Sequence, residues 1–186
     1  MDSLLRNKSF RMRKITLYIA MSLDGFVAGT QDELDWLIQF PNPEQTDYGY
    51  AAFLETIDTI LMGYRTYEVV LGLEETFPYA NLTNYVFTRS TSRGQAPYVS
   101  FVTEDWRTFV ENLKQQPGKG IWLIGGGQLN AAFLNEKLID ELIVHVMPVV
   151  LGSGISLFEG LTKEHTLQLT STKSYHNGVL ELRYHL

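Results

Sequence analysis

Residues 121–130 read IWLIGGGQLN, and this stretch organises the rest of the chain. Its first four residues are apolar, which is typical of a buried strand. Three glycines follow, and apolar residues at helical spacing then run from Leu129 to Leu138. The stretch predicts a strand at 121–124, a turn without side chains, and a helix at 128–137. Glycines let a ligand approach the backbone, and the free N–H groups that open a helix suit a phosphate. A tight strand-to-helix turn that binds nothing is the plainer interpretation.

Length and composition indicate an ordinary globular protein. The chain has 186 residues, of which 45% are hydrophobic and 19% charged, enough for one domain with a sizeable core. A net charge of −6 argues against nucleic-acid binding. The chain has no cysteine and its histidines lack metal-ligand spacing, so we expect no metal. No apolar run is long enough to span a membrane and no signal peptide is visible, so we expect a cytoplasmic protein that binds no membrane.

The N-terminus differs in character from the rest of the chain. Residues 1–14 contain five basic residues and one acid, and the apolar core pattern starts only at Ile15. We therefore expect residues 1–12 to form a flexible basic tail and residues 13–186 to form a single domain.

Apolar segments with β and helical patterns alternate along this domain. The expected strands are at 15–20, 59–62, 85–87, 98–102 and 142–151. We expect one helix after Asp47, with Phe53, Leu54 and Ile57 on its apolar face, and another at 105–115. Alternating residues at 166–174 and 179–186 flank a turn and predict an antiparallel hairpin. The prediction is an α/β fold in three layers, with a mostly parallel central sheet, helices on both faces and a C-terminal antiparallel hairpin.

Polar turns follow the first three of these strands. They contain Asp24 and Gly25, then Gly63, Arg65 and Thr66, then Thr88, Arg89 and Ser90. The carboxyl ends of parallel strands meet at one edge of a sheet, where open α/β folds bind ligands. Two arginines just past buried strands favour a phosphate clamp. The plainer interpretations also stay open: surface charges for the arginines, a turn residue for Asp24 and an N-cap for Asp47.

Five motifs, in this order, carry a resemblance to a known family. They are AMSLDG at 20–25, MGYRTYE at 62–68, TRS at 88–90, IGGG at 124–127 and PVVLGSG at 148–154. The chain resembles the dihydrofolate reductase-like superfamily over residues 13–186. Within it, the chain is most similar to the branch related to the C-terminal reductase domain of bifunctional riboflavin-biosynthesis proteins. The resemblance implies an NADPH-dependent oxidoreductase that reduces a small heterocycle, resembling 5-amino-6-(5-phosphoribosylamino)uracil reductase of riboflavin biosynthesis or a paralogue of it. It also implies a homodimer.

The resemblance further implies a role for each motif. The pyrophosphate of the cofactor would be bound by Gly125, Gly126, Gly127 and Gln128, and the other side of the phosphates by Gly63, Arg65 and Thr66. Leu129 would also contact the cofactor. The adenosine 2′-phosphate would be bound by Thr88, Arg89 and Ser90. Ala20 and Gly25 would also contact the cofactor, with Asp24 and Gly25 in the loop that lies between nicotinamide and substrate. Asp24 and Asp47 are the expected catalytic carboxylates, with Asp24 preferred. A cis peptide between Gly125 and Gly126 is also implied.

Two departures from the family pattern leave the function open. Relatives usually read Gly-Arg-x-Thr-Tyr-Glu, and here Tyr64 stands in place of that arginine. Riboflavin-pathway reductases commonly carry a glutamate where this chain has Ile124, whereas dihydrofolate reductases carry an isoleucine there. The alternatives are therefore a dihydrofolate or pteridine reductase, and a nucleotide-binding module without catalysis.

Overall fold

The structure, a computed structural model, describes residues 12–103 and 105–186. Most of the expected basic tail, residues 1–11, lies outside them. The strands are β1 (Ile15–Ser22), β2 (Phe26–Ala28), β3 (Ile57–Gly63), β4 (Thr83–Phe87), β5 (Val99–Val102), β6 (Gly120–Gly125), β7 (Glu141–Met147), β8 (Ile155–Ser156), β9 (Gln168–Ser174) and β10 (Leu180–His185). The helices are α1 (Asp35–Ile38), α2 (Tyr50–Leu54), α3 (Tyr64–Leu73), α4 (Trp106–Lys114) and α5 (Gly127–Asn135).

Eight strands form one sheet, in the order β5-β4-β3-β6-β1-β7-β10-β9. The pairs from β5 across to β7 are parallel, and β10 pairs antiparallel with both β7 and β9. Strand β1 lies near the centre, with Ile15 opposite Ile121 of β6 and Thr16 opposite Glu141 of β7. The predicted fold class is confirmed: a mostly parallel sheet that ends in an antiparallel hairpin.

Successive side chains of the central strands enter two separate cores, because a strand alternates its faces. Leu61 packs on one side with Val110 of α4 and Phe133 of α5. Ile60 packs on the other side with Phe53 of α2 and Tyr67 of α3. Helices therefore cover both faces of the sheet, as the alternating sequence predicts.

Some boundaries differ from the sequence predictions. The strand expected to reach residue 151 ends at Met147, because Pro148 follows and β1 and β10 offer no partners beyond this point. Ile57 belongs to β3, where it is buried, and is not part of the α2 helix. A small sheet of β2 and β8 also forms, which the sequence did not predict. Within the described residues, every helix is too short or too polar to cross a membrane.

Candidate active site

A cleft of about 700 Å³ opens at the carboxyl ends of the parallel strands. Its lining comes from β1, β3, β4, β5 and β6 and from the segments that follow them, together with Ile155 of β8 and Glu159. The polar turns predicted at the strand ends therefore converge, as expected from the common direction of these strands.

Two helices begin at this cleft. Gly63 is the N-cap of α3 and Gly126 is the N-cap of α5, and both line the cleft. Neither end receives a cap hydrogen bond from a side chain within 12–103 and 105–186. The first N–H groups of a helix have no partner inside the helix, so both ends can donate to an anion. The peptide between Gly125 and Gly126 is cis, which confirms that prediction.

The structure brings most of the predicted cofactor residues to one lining. Those in it are Ala20, Gly63, Arg65, Thr66, Thr88, Arg89, Gly126, Gly127, Gln128 and Leu129. Gly25, Ser90 and Gly125 are not part of the lining; Ser90 and Gly125 are next in sequence to lining residues, whereas Gly25 is two residues from the nearest one, Val27. Arg65 already has a partner, because its Nε donates to Asp32 Oδ2 at 2.6 Å, and Asp32 also lines the cleft.

The two predicted catalytic carboxylates lie outside this lining. Asp24 is exposed and accepts hydrogen bonds from the Ser22 hydroxyl at 2.7 Å and from the backbone N–H groups of Leu151 at 3.1 Å and Gly152 at 2.7 Å. These bonds, the one from Ser22 first, hold the pKa of Asp24 below its ordinary value. Asp24 thus ties the turn after β1 to the segment after β7.

Asp47 occupies the start of the α2 segment. Its carboxylate accepts from the backbone N–H of Gly49 at 2.9 Å and of Ala51 at 3.0 Å. These bonds lower the pKa of Asp47. Both carboxylates therefore accept hydrogen bonds from backbone N–H groups, and a catalytic role for either one stays a prediction.

Aromatic side chains line one end of the cleft, which the sequence reasoning missed. Tyr18, Tyr79 and Trp122 all line it. The Tyr18 ring stacks on Phe53 with centroids 4.4 Å apart, and the Trp122 ring meets Tyr79 edge to face at 5.4 Å. Strand periodicity contained part of this signal, because Tyr18 points to the same side of β1 as Ala20. Packed rings of this kind suit a flat apolar or heterocyclic ligand.

A buried polar cluster lies on the same face of the sheet. His145 of β7 places Nε2 3.2 Å from the Tyr48 carbonyl oxygen and 3.3 Å from Glu181 Oε2. Both neighbours are acceptors, so this nitrogen carries a proton. Burial lowers the pKa of His145 and keeps the ring neutral. Burial alone would raise the pKa of Glu181, but the hydrogen bond and the charge of Arg183 outweigh it and hold this pKa below its ordinary value.

The Tyr48 carbonyl links this cluster to Tyr18, which lines the cleft. The Tyr18 hydroxyl donates to the Tyr48 carbonyl at 3.3 Å. Burial raises the pKa of Tyr18, so its ring stays neutral. Histidine spacing gave no sign of the cluster, since its members come from distant parts of the chain. In the part of the chain that the structure describes, His, Asp and Glu side chains form no metal-binding group of three or more.

Comparisons with known proteins agree with this architecture. YwjB of Bacillus subtilis (strain 168), an uncharacterized protein, is 46% identical over 172 residues, which cover 92% of this chain and 97% of YwjB. The structure of a Shewanella sp. PV-4 protein provisionally assigned to riboflavin biosynthesis has a TM-score of 0.83 at 28% identity. That match covers 92% of this chain and 98% of the other.

A bifunctional enzyme shares the fold more distantly. The diaminohydroxyphosphoribosylaminopyrimidine deaminase/5-amino-6-(5-phosphoribosylamino)uracil reductase of Thermotoga maritima matches with a TM-score of 0.72 at 16% identity. The match covers 94% of this chain and 56% of that one. The sequence-family model of the RibD C-terminal domain matches residues 13–180 of this chain. The chain therefore belongs to the RibD C-terminal domain family, and the resemblance read from its five motifs is confirmed.

Proposed function

We propose that the protein is an NADPH-dependent reductase of a pyrimidine-type heterocycle, resembling 5-amino-6-(5-phosphoribosylamino)uracil reductase or a paralogue of it. One observation carries the proposal. A single cleft combines two helix N-termini and two arginines with a set of aromatic rings. Anion-binding groups and a flat apolar surface in one cleft fit a dinucleotide beside a heterocyclic substrate. Membership of a reductase-like family supports an oxidoreductase.

The residues of the cleft fit such a cofactor. Gly63 and Gly126 put no side chain at the two helix ends; a Cβ on Gly126 would lie 3.2 Å from the Thr66 hydroxyl, and one on Gly63 would lie 3.7 Å from the Gly125 carbonyl oxygen. The N–H groups at these ends would hold the pyrophosphate, and Arg65 and Arg89 would pair with the phosphates. NADPH, when bound, supplies the hydride. The protein would orient the two reacting molecules and exclude water from the aromatic end.

The aromatic end would receive the heterocycle. Tyr18 and Trp122 would contact its faces and edges. Ile124 also lines the cleft, in the position where dihydrofolate reductases carry an isoleucine, and this favours a pteridine as the second candidate substrate. Turnover on a panel of pyrimidine and pteridine substrates, with NADPH oxidation followed by absorbance, would separate the two functions.

We predict that the protein binds NADPH about tenfold or more tightly than NADH, because one additional charge-assisted contact to the 2′-phosphate has about this value. Intrinsic fluorescence suits the titration, since Trp106 and Trp122 line the cleft and the chain has three tryptophans in all. Arg89→Gln should bring the two affinities closer together, because it removes a guanidinium from the lining.

Equal affinities for both nucleotides in the unchanged protein would contradict the NADPH preference. Absence of binding to either one would contradict the proposed reductase itself. Tight binding of NADPH without turnover on any substrate of the panel would favour the non-catalytic nucleotide-binding module.

We predict that Asp24→Asn lowers kcat about 10²-fold, the scale of loss that follows when reacting groups are misplaced. Asparagine keeps one acceptor oxygen, so it cannot serve both the Leu151 and the Gly152 N–H groups as Asp24 does. The affinity for NADPH should change little, because Asp24 is not part of the lining. A parallel loss of binding and turnover would show that Asp24 acts on the cofactor or on folding.

Asp47→Asn is the matched control for that variant. Its carboxylate also accepts two backbone hydrogen bonds and is also exposed, but it serves α2 and not the turn after β1. A larger loss of kcat in the Asp47 variant than in the Asp24 variant would reverse the proposed order of the two carboxylates.

The proposal places the enzyme in the cytoplasm as a homodimer. Strand β9 is exposed along its whole length at the edge of the sheet. The hairpin also exposes two large apolar side chains, Leu169 and Leu180. An exposed strand edge with apolar side chains offers a surface for a second copy of the chain.

A further inference from the structure

Arg93 lies over the ring of Tyr64, a residue that lines the cleft, although Arg93 itself is not part of the lining. Its guanidinium carbon is 3.3 Å from the ring centroid, a distance at which a cation is attracted to an aromatic face. Tyr64 is the first residue of α3 and lines the cleft. Its centroid is also 6.0 Å from that of Tyr67 and 6.2 Å from that of Phe101. These packed rings make Tyr64 a firm platform for Arg93.

The segment between β4 and β5 brings Arg93 to this platform. The Thr88 hydroxyl accepts from the Ser90 N–H at 3.2 Å, and the hydroxyls of Ser90 and Ser92 are 3.0 Å apart. These local hydrogen bonds shape the chain directly after β4. Arg93 follows and remains exposed, so the N–H groups that do not face the ring are accessible to a ligand.

Three guanidiniums are therefore associated with this part of the cleft. Arg65 and Arg89 line it, and Arg93 stands over the residue next to Arg65. This local positive charge contrasts with the net charge of −6 on the whole chain. Asp32 offsets part of this positive charge through its hydrogen bond with Arg65. Local positive charge on an acidic protein attracts anions to that place.

We infer that Arg93, held by Tyr64, is a specificity residue that binds the phosphate monoester of the cofactor, the 2′-phosphate that distinguishes NADPH from NADH. The inference rests on the proposed function. A guanidinium that stacks on a ring keeps N–H groups with the planar geometry that matches two phosphate oxygens. The 2′-phosphate is a monoester, with three terminal oxygens and about two negative charges on a single phosphorus. Each phosphate of the pyrophosphate has only one charge and two terminal oxygens, which would already meet the helix N-termini.

The test measures dissociation constants for NADPH and NADH by tryptophan fluorescence in the unchanged protein and in Arg93→Gln. We expect Arg93→Gln to weaken NADPH binding about tenfold, which is the value of one charge-assisted contact. The dissociation constant for NADH should change by no more than about twofold. Adenosine 2′,5′-bisphosphate and AMP form a second pair of probes. Arg93→Gln should weaken only the bisphosphate.

Two further variants test the role of the platform. Tyr64→Phe keeps the aromatic ring and should bind NADPH as the unchanged protein does. Tyr64→Leu removes the aromatic face and should lower the NADPH affinity toward that of Arg93→Gln, again with little effect on NADH. Thermal unfolding of each variant verifies that it is folded at the temperature of the titration.

Each outcome is decisive for Arg93. A preference for NADPH that Arg93→Gln leaves intact would overturn the inference while the proposed function stands. Equal weakening of NADPH and NADH by Arg93→Gln would also overturn it, since the contact would then not involve the 2′-phosphate. Failure of the unchanged protein to bind either nucleotide would overturn both the inference and the proposed function.

Discussion

Phe133→Ala is expected to lower the free energy of unfolding by about 3–5 kcal/mol, the usual loss when a buried phenylalanine is truncated. Phe133 is fully buried in α5. Its ring stacks on Trp106 with centroids 5.3 Å apart and meets Phe87 edge to face at 5.8 Å. The substitution leaves a cavity between the sheet and two helices, and these elements cannot all move to fill it. Urea unfolding followed by circular dichroism measures the loss.

Leu71→Ala is the matched control for Phe133→Ala. Leu71 also lies in a helix, α3, but about half of it is exposed, 48%. Truncation there should change the free energy of unfolding by no more than about 0.5 kcal/mol. A loss below about 1 kcal/mol for Phe133→Ala would contradict the packing of α5 on the sheet, because cavity formation there would cost more.

Gly127→Ala is expected to destabilise the fold by about 1–3 kcal/mol, as overpacking does. A Cβ on Gly127 would lie 2.3 Å from the Ser156 carbonyl oxygen and 3.1 Å from the Glu159 Cβ. The first contact is with backbone, which cannot rotate away. Helix α5 would have to shift, and its N-terminus lines the cleft, so NADPH binding should weaken as well. Urea unfolding and the fluorescence titration measure the two effects.

Gly72→Ala makes the opposite prediction for the same chemical change. Gly72 lies in α3, and a Cβ there would meet nothing within 4 Å. Alanine is favoured over glycine inside a helix by about 1 kcal/mol, so this variant should be slightly more stable. Stabilisation by Gly127→Ala would show that α5 does not approach the Ser156 segment this closely.

The fold could be predicted where the pattern is local. The apolar run at 121–124 indicates a buried strand, and the glycines directly after it indicate where that strand ends. Strands β2 and β8 carry no such pattern, because one has three residues and the other two, and each exists only through its distant partner. The end of β7 depends on where its neighbours β1 and β10 stop, which the apolar run through Leu151 does not show.

The candidate site was predictable to the same extent. Turns that follow parallel strands must meet at one edge, so Arg65 and Arg89 could be assigned to one cleft from the sequence. The partners of Asp24 could not, because the N–H groups of Leu151 and Gly152 come from a segment far along the chain. Side-chain contacts between remote elements, such as that of His145 with Glu181, leave no periodic signal in either strand.

The central place of β1 has a consequence for biosynthesis. Among the described strands β1 comes first in the chain, yet its partners are the much later β6 and β7, through Ile15 opposite Ile121 and Thr16 opposite Glu141. Such long-range pairing raises the contact order and slows folding, because large loops must close before their contacts form. An apolar strand that waits unpaired is prone to aggregate. The cleft, which β1 and β6 line together, cannot form before β6 has been synthesised, so a product truncated ahead of Gly120 lacks the site.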